Sequence, residues 1–375
     1  MKKKMYYIAN NEQNQRKEML NLKDYMFPLF DFNMPLKTYR QSKIWHYDTI
    51  QNAYTKLLSL NSMSGPPEVK HLFYTNLMED FDPIITRVFP NIKIYGVIHD
   101  TYFDENAYGN HEKNQEYETY ILEVMEKGFV GAQYIYDILV ERFPQYKNKL
   151  VPAFIPKLKE VSSPLLEYKV KTVNEHIDIL WNHRVSKPKG YKFVIELANK
   201  LIEFGYDFTI HVCTTSWVPQ CLKEFNDFAE EHPSKFKVHI NPKNYEEIVE
   251  MCDVGFSSSE HDTFGGSVIE CLANGMPYFV PDVRAGFIDF THPNFRYPHG
   301  NVEELINLIN IYGYYFGKEE LNDMIGQLTV LKMFTVEAFI GIVEDKIGFE
   351  LQRPGEPEGE EIKKIEDPDP WGDAF

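Results

Sequence analysis

The sequence predicts an α/β protein made of two doubly wound domains. Short apolar segments of the strand type alternate with segments whose apolar residues recur at helical spacing, through most of the 375 residues. This alternation favours parallel sheets covered by helices on both faces. At about 100–200 residues per domain, the length suits two domains. We therefore expect two Rossmann-like domains that face each other across a cleft.

The first half of the chain contains five segments of the strand type. The third of them, Ile92–His99, is rich in β-branched residues, which favour strands. The five segments are Met5–Ala9, Leu72–Leu77, Ile92–His99, Lys127–Gln133 and Leu150–Pro156. A helical pattern over Tyr134–Phe143 separates the last two, as expected for a strand–helix–strand unit.

The second half repeats this alternation. The predicted strands are Ile177–Asn182, Phe208–Cys213, Phe236–Ile240, Val254–Ser257 and Pro277–Val280. The predicted helices are Tyr191–Phe204, Gln220–Glu231, Tyr245–Cys252 and Ser267–Asn274. Gly205 and Gly275 follow the first and the last of these helices, where glycine commonly ends a helix.

Prolines and charged residues near 156–175 indicate the boundary between the domains. A helical stretch after 330 is expected to return to the first domain, and the Pro-, Gly- and Glu-rich end is expected to be a disordered acidic tail. The predicted units are an acceptor-side domain (1–160), a second α/β domain (170–330), a returning helix (331–352) and the tail (353–375).

Composition limits the classes of partner. Acidic residues number 56 against 39 basic ones, for a net charge of −17, which argues against binding a polyanion by bulk charge. The acidic excess lies in the second half and the tail, and residues 1–155 are close to neutral. The four cysteines form no C-x-x-C pair, no spacing fits a zinc site, and no signal peptide or membrane-length apolar run is present. We therefore expect a cytoplasmic protein with reduced thiols and no metal site.

The stretch 254–281 has the pattern of a ligand-binding loop. A strand is followed by a polar loop, Gly265-Gly266, and a helix that opens near Ser267. Glycines at this point let the backbone approach a ligand, and the first amides of a helix favour a phosphate. Asp262 and Glu270 flank this turn, and two carboxylates can accept hydrogen bonds from several sugar hydroxyls.

A second loop, 182–190, follows a predicted strand and is rich in cations. Arg184, Lys187 and Lys189 precede Gly190 and the next helix. Cations at the carboxyl end of a parallel strand would meet an anionic ligand in the crevice.

Together the two loops resemble the donor domain of the GT-B glycosyltransferases of family 4. That family has an arginine after a strand with Lys-Gly five and six positions further on, as Arg184 and Lys189-Gly190 stand here. It also has two acidic residues separated by seven others, with Phe-Gly after the first, as in Asp262-Thr263-Phe264-Gly265 and Glu270. The family usually has glutamate at the first acidic position, so Asp262 is a departure, and Glu260 is an alternative in another register.

The resemblance implies a retaining transferase, a hexosyl- or pentosyltransferase that uses a nucleotide-sugar such as a UDP- or GDP-sugar and requires no metal or cofactor. It implies that Arg184 and Lys189 stabilise the donor diphosphate and that Asp262 holds the transferred sugar. Glu270 would bind the ribose hydroxyls. The remaining donor contacts are expected from backbone at Phe264, Gly265, Gly266, Ser267 and Asn241, the last of these at the base.

In the first domain, His99 ends a predicted strand where family members often carry a histidine near the reacting centre. The resemblance therefore places His99 in the active site, with Asp100 beside it. The loop Asn10–Glu12 lacks the Gly-Gly pair that is usual there in the family. The aromatic segments at 45–47 and 102–103 are candidates for acceptor contacts or for core packing.

Several functions remain open at this level. The acceptor is either a glycan, lipid or small molecule, or a modified base in DNA or RNA, for example a hydroxymethylated pyrimidine in a phage genome, in which case the protein would act in the host cytoplasm. The stretch 180–184 resembles transferases that mannosylate queuosine in tRNA. Alternatives are an epimerase or hydrolase on the same fold, a metal-dependent GT-A enzyme that uses Asp80-Phe81-Asp82, and a non-enzymatic relative.

Overall fold

The computed structural model describes residues 2–8, 22, 24–29, 55, 57–61, 69–105, 112–156, 175–214, 219–315 and 333–356. The expectations for Asn10–Glu12, for the aromatic segment 45–47 and for the tail beyond 356 lie outside these residues.

The first domain contains a six-stranded parallel sheet in the order β2-β1-β3-β4-β5-β6. Its strands are β1 (Tyr6–Ile8), β2 (Phe27–Pro28), β3 (His71–Tyr74), β4 (Lys93–Ile98), β5 (Lys127–Val130) and β6 (Leu150–Pro152). The central strands are almost wholly buried, as in a sheet packed on both faces. Because the strands are parallel, the loops that follow β3 and β4 lie at the same edge.

Helices in the described part of this domain include α1 (Leu77–Asp80), α2 (Pro83–Val88), α3 (Glu112–Val124) and α4 (Gln133–Arg142). Asp82 directly precedes α2 as its N-cap. Its carboxylate accepts a hydrogen bond of 2.9 Å from the backbone amide of Ile84. Asp82 therefore caps a helix, which is a structural reason for the second aspartate of Asp80-Phe81-Asp82.

The second domain has another six-stranded parallel sheet, in the order β12-β11-β10-β7-β8-β9. Its strands are β7 (Ile177–Trp181), β8 (Phe208–Thr214), β9 (Phe236–Ile240), β10 (Val254–Phe256), β11 (Tyr278–Asp282) and β12 (Arg296–Pro298). The strand order reverses around β7 and β10. Open α/β sheets usually bind ligands at such a switch point, outside the carboxyl ends of the strands.

Within the described residues, the helices of this domain are α5 (Tyr191–Glu203), α6 (Pro219–Glu231), α7 (Tyr245–Met251), α8 (Gly266–Ala273) and α9 (Val302–Asn310). Short 3₁₀ segments occur at Lys187–Lys189, Gly286–Asp289 and Pro293–Phe295, and a π-helical segment at Ile311–Tyr315. In the first domain, a 3₁₀ segment occurs at Pro144–Lys149. One continuous apolar core fills the space between these helices and the sheet, with Trp181 fully buried in it.

The final helix, α10 (Val336–Ile347), packs on the first domain. Phe339 is fully buried and its ring meets Phe73 and Phe129 of the first sheet at centroid distances of 6.1 and 5.8 Å. Thr335 caps the start of the helix by accepting from the Ala338 amide, and Gly348 ends it in the left-handed conformation. This helix, late in the sequence, therefore belongs to the core of the first domain.

The predicted α/β class and the two parallel sheets are confirmed. Most predicted elements end within a few residues of the observed ones, and α1, α2, α3, α9, β2 and β12 were not predicted. No helix in the described ranges has both the length and the apolar composition needed to cross a membrane.

Candidate functional site

The two motif loops meet at the carboxyl edge of the second sheet. β7 and β10 are hydrogen-bonded neighbours, so the loop after Trp181 and the loop after Phe256 leave the sheet side by side. Their contact is direct, because the Trp181 indole donates to Ser258 Oγ at 2.9 Å. Residues about 80 positions apart in the sequence therefore share one site.

Gly190 allows this close approach. Its φ is +68°, and a Cβ placed on it would lie 2.2 Å from the carbonyl oxygen of Ser258. Ser258 Oγ in turn donates to the carbonyls of Lys189 and Gly190, at 2.8 and 3.2 Å. A larger residue at 190 would push the loop that carries Lys189 away from the loop that carries Asp262. Close packing therefore explains why glycine follows lysine in this motif.

Lys189 and Asp262 form the central ion pair of the site. Lys189 Nζ lies 2.7 Å from Asp262 Oδ2, and both side chains are about one-seventh exposed, at 14% and 15%. The same ammonium donates to Ser259 Oγ at 3.1 Å and to the His261 carbonyl at 3.2 Å. Lys189 is thus held in one place by three oxygen acceptors.

The other oxygen of Asp262 organises the turn that begins α8. Oδ1 accepts from the amides of Phe264 and Gly265, at 3.2 and 2.9 Å. Burial opposes the charge, but the Lys189 ammonium and the Gly265 amide outweigh it and hold the pKa of Asp262 well below its ordinary value. The backbone amides of Phe264 and Gly265 therefore donate to Asp262 in this structure. The resemblance to family 4 implies instead that they contact the nucleotide-sugar donor.

The amides of Gly266 and Ser267 open helix α8. First-turn amides have no acceptor within their own helix, so this helix start can bind an anion. Gly265, in the left-handed conformation at φ +74°, precedes them and packs against Phe287. Phe264 is partly buried and contacts the cores of both domains.

Glu270, the second carboxylate of the motif, belongs to a hydrogen-bonded network that sequence reasoning missed. The Tyr245 hydroxyl donates to Glu270 Oε2 at 3.2 Å and accepts from the side-chain Nδ2 of Asn182 at 2.7 Å. The Tyr278 hydroxyl donates to the side-chain Oδ1 of Asn182 at 2.5 Å. Tyr245 of α7 therefore holds Glu270 directly, and Asn182 and Tyr278 support Tyr245 through the network.

His183 and Arg184 are adjacent in the sequence, but His183 is buried and Arg184 is exposed to solvent. His183 is buried against Trp181 and lies 3.3 Å from the Tyr278 hydroxyl, and burial, reinforced by the Lys189 charge, lowers its pKa to about 3. His183 is therefore neutral near pH 7, and Arg184 is the cation of this pair.

In the first domain, His99 follows β4 and is partly buried. Its Nε2 lies 2.8 Å from the Thr75 carbonyl. A carbonyl only accepts, so Nε2 carries a proton and a neutral His99 would have its lone pair on Nδ1. This contact joins the loops that follow β3 and β4.

Asn241 follows β9 at the same edge of the second sheet. It is exposed, has the positive φ of 47°, and its amide donates to the Thr214 carbonyl at 2.8 Å. The structure therefore brings Arg184, Lys189, Asp262, Glu270 and Asn241 to one edge, with the helix start of α8 among them.

Comparison with solved structures identifies the fold. Anabaena HepE, solved in complex with UDP, has a TM-score of 0.65 at 12% identity over 92% of this chain and 99% of that chain. Sucrose-phosphate synthase from Thermosynechococcus elongatus has a TM-score of 0.64 at 13% identity, over 92% and 99%. A glycosyltransferase from Rickettsia africae has 0.61 at 14% identity, over 92% and 98%. No family model and no curated protein matches the sequence.

These similar structures are GT-B glycosyltransferases, and the chain has the GT-B fold. The fold expectation from the two motif loops is thereby confirmed. At identities of 12–14%, the likeness concerns the fold.

Proposed function

We propose that this protein is a retaining glycosyltransferase that moves a sugar from a nucleotide-sugar to an acceptor hydroxyl. The observation that carries the proposal is the Lys189 ammonium, fixed by Asp262 and Ser259 beside the open amides of α8. A cation and a helix start that converge at a strand edge form a site for a diphosphate. The fold and the order of the two motifs support the same reaction.

In this proposal, Lys189 and Arg184 stabilise the negative charge on the leaving group. As the bond between the sugar and the diphosphate breaks, negative charge grows on the phosphate oxygens. The partly buried Lys189 and the exposed Arg184, on the loop after β7, would stabilise that charge. Entry of the diphosphate would give Lys189 a second anionic partner beside Asp262.

Glu270 and Asn241 are assigned to the nucleoside. Glu270, held by Tyr245, would accept hydrogen bonds from the ribose hydroxyls. The backbone at Asn241 would contact the base. The sugar would lie between Asp262 and His99, so that the acceptor would enter from the first domain. Retention is inferred from the resemblance of the motifs to family 4.

The donor is tested by a thermal-shift panel of UDP-, GDP- and ADP-sugars, because a ligand of the native state raises the melting temperature by mass action. HepE was solved in complex with UDP, which makes UDP-sugars the first choice. A shift with one nucleotide series is expected. No shift with any nucleotide-sugar would contradict the proposal.

The role of Lys189 is tested by Lys189→Met, with Lys187→Met as the matched control. Lys187 lies on the same loop and is exposed. Loss of a preorganised charge at the leaving group should lower kcat by about 10²–10³-fold. The Lys187 variant should keep the parent kcat, and equal losses in both variants would refute the assignment.

The reaction class is tested with the identified donor. Nucleotide release that depends on an acceptor, with a product of unchanged anomeric configuration by NMR, is expected. Release without an acceptor would indicate a hydrolase or epimerase. DNA with hydroxymethylated pyrimidines belongs in the acceptor panel beside glycans and lipids, since the acceptor class decides the biological role.

A further inference from the structure

A cluster of three ligand-type side chains spans the cleft between the two domains. Asp100 and Asp104 lie on the loop after β4, and His261 lies on the loop after β10. One ligand atom from each lies within 4.8 Å of the others. Asp104 Oδ2 and His261 Nδ1 are 3.8 Å apart, too far for a hydrogen bond. Two bonds of about 2.1 Å to a common metal ion would span such a gap.

The cluster is largely shielded from solvent, and two buried polar atoms of Tyr134 and His261 have no partner among the described residues. Asp104 itself is 5% exposed. His261 Nε2 is buried and has no hydrogen-bond partner within the described ranges, and the same holds for the hydroxyl of Tyr134, a residue that is 8% exposed. The Tyr134 and His261 rings are 6.2 Å apart, edge to face. Because buried polar groups normally have partners, the Tyr134 hydroxyl is available to hydrogen-bond with a group held by the cluster.

The charge around the gap is negative. Burial raises the pKa of Tyr134 well above its ordinary value, and the carboxylates of Asp100 and Asp104 raise it further. Two cations are near among the described residues. Lys189 is paired with Asp262, and the exposed Arg284 guanidinium lies 5.8 Å from the centre of the Tyr134 ring.

We propose that Asp100, Asp104 and His261 bind one divalent cation of the Mn²⁺ or Zn²⁺ class. A mixed set of carboxylate and imidazole ligands suits these ions, and water would complete the coordination. The Tyr134 hydroxyl would then donate to a metal-bound water. The sequence predicted no metal, because its ligands come from two domains and have no common spacing. An ion bound here would link the loop after β4 in the first domain to the loop after β10 in the second.

The test is metal binding to the full chain after treatment with a chelator. Mn²⁺ is the first probe, because the chain has four cysteines and thiolates would favour Zn²⁺. Titration followed by calorimetry and by loss of the free Mn²⁺ EPR signal should show one ion per chain. Zn²⁺ is then tested by competition. The absence of stoichiometric binding by either ion would overturn the proposal.

Asp104→Asn and His261→Gln should each weaken binding by at least about tenfold. The matched controls are Asp282→Asn and His299→Gln, which change exposed residues of the same types. Circular dichroism checks that each variant is folded. Parent-like binding in both cluster variants, or equal losses in the controls, would overturn the assignment. None of these readouts requires activity, so failure here leaves the proposed transferase function standing.

Discussion

Glu118 is a buried carboxyl that the proposed reaction does not use. It lies on α3, is fully buried, and its Oε2 accepts from the Tyr102 amide at 2.7 Å. Burial raises the pKa of Glu118 to about 8, against hydrogen bonds from the chain around Thr101 that lower it. The loop that this carboxyl supports also carries Asp100 and Asp104.

This pKa predicts how stability depends on pH. Between the ordinary value of 4.5 and about 8, the folded chain keeps a proton on Glu118 that the unfolded chain releases. The free energy of unfolding should therefore fall as pH rises through this window. Glu118→Gln should flatten that fall, with an effect on the order of a few kcal/mol at pH 8. Denaturant unfolding at pH 5, 6.5 and 8 measures it.

The control for this prediction is Glu123→Gln, which changes an exposed residue of the same helix. It should keep the pH dependence of the parent chain. If Glu118→Gln keeps the parent slope as well, the Glu118 carboxyl is ionised in the folded state and the prediction is wrong.

At the scale of elements, the two motif loops depend on backbone that only glycine adopts. Gly190→Ala would place a methyl group against the Ser258 carbonyl at a positive φ. We expect a loss of about 2 kcal/mol or more in the free energy of unfolding. The measurement is a urea unfolding curve.

Gly341→Ala is the contrasting change. Gly341 lies within α10, no described atom lies within 4 Å of the position that a Cβ would take, and its φ is not positive. Alanine should therefore stabilise the helix by about 0.5–1 kcal/mol. Two glycine-to-alanine changes of opposite sign would show that local geometry, and not glycine content, decides the effect.

The hydrogen bonds of Tyr245 on α7 predict that this residue affects donor binding more than the catalytic rate. Tyr245→Phe removes the hydroxyl that donates to Glu270 and accepts from Asn182. A lost hydrogen bond to a charged group is worth about 1.5–3 kcal/mol, so KM for the donor should rise about tenfold or more while kcat changes little. Tyr206→Phe, whose hydroxyl accepts from Asn310 at 2.7 Å, is the control. A drop in kcat with unchanged KM would contradict this role.

At the scale of the whole molecule, α10 packs on the first domain although it follows the second in the sequence. Phe339→Ala would open a cavity beside Phe73 and Phe129. The expected loss is about 3–5 kcal/mol, seen as a lower melting temperature. Phe204→Ala, at a position 52% exposed, should change stability by less than about 0.5 kcal/mol. Similar losses in both variants would mean that α10 contributes little to the core.

The alternation of apolar segments along the sequence was enough to determine the fold class and the positions of most strands. Local pattern determines these features, because a strand or helix depends mainly on its own spacing and end residues. The resemblance of two motifs was enough to predict GT-B. The short β2 and β12 were not predicted, because segments of two and three residues have no periodicity.

Only the tertiary structure decided which side chains meet. The sequence placed Lys189 and Asp262 in one site, but the structure shows them paired, with the second Asp262 oxygen taken by the amides of Phe264 and Gly265. Tyr245, Tyr278 and the cluster of Asp104 with His261 carried no sequence signal. Their contacts depend on how sheets and domains pack, which brings together residues that are distant in the chain.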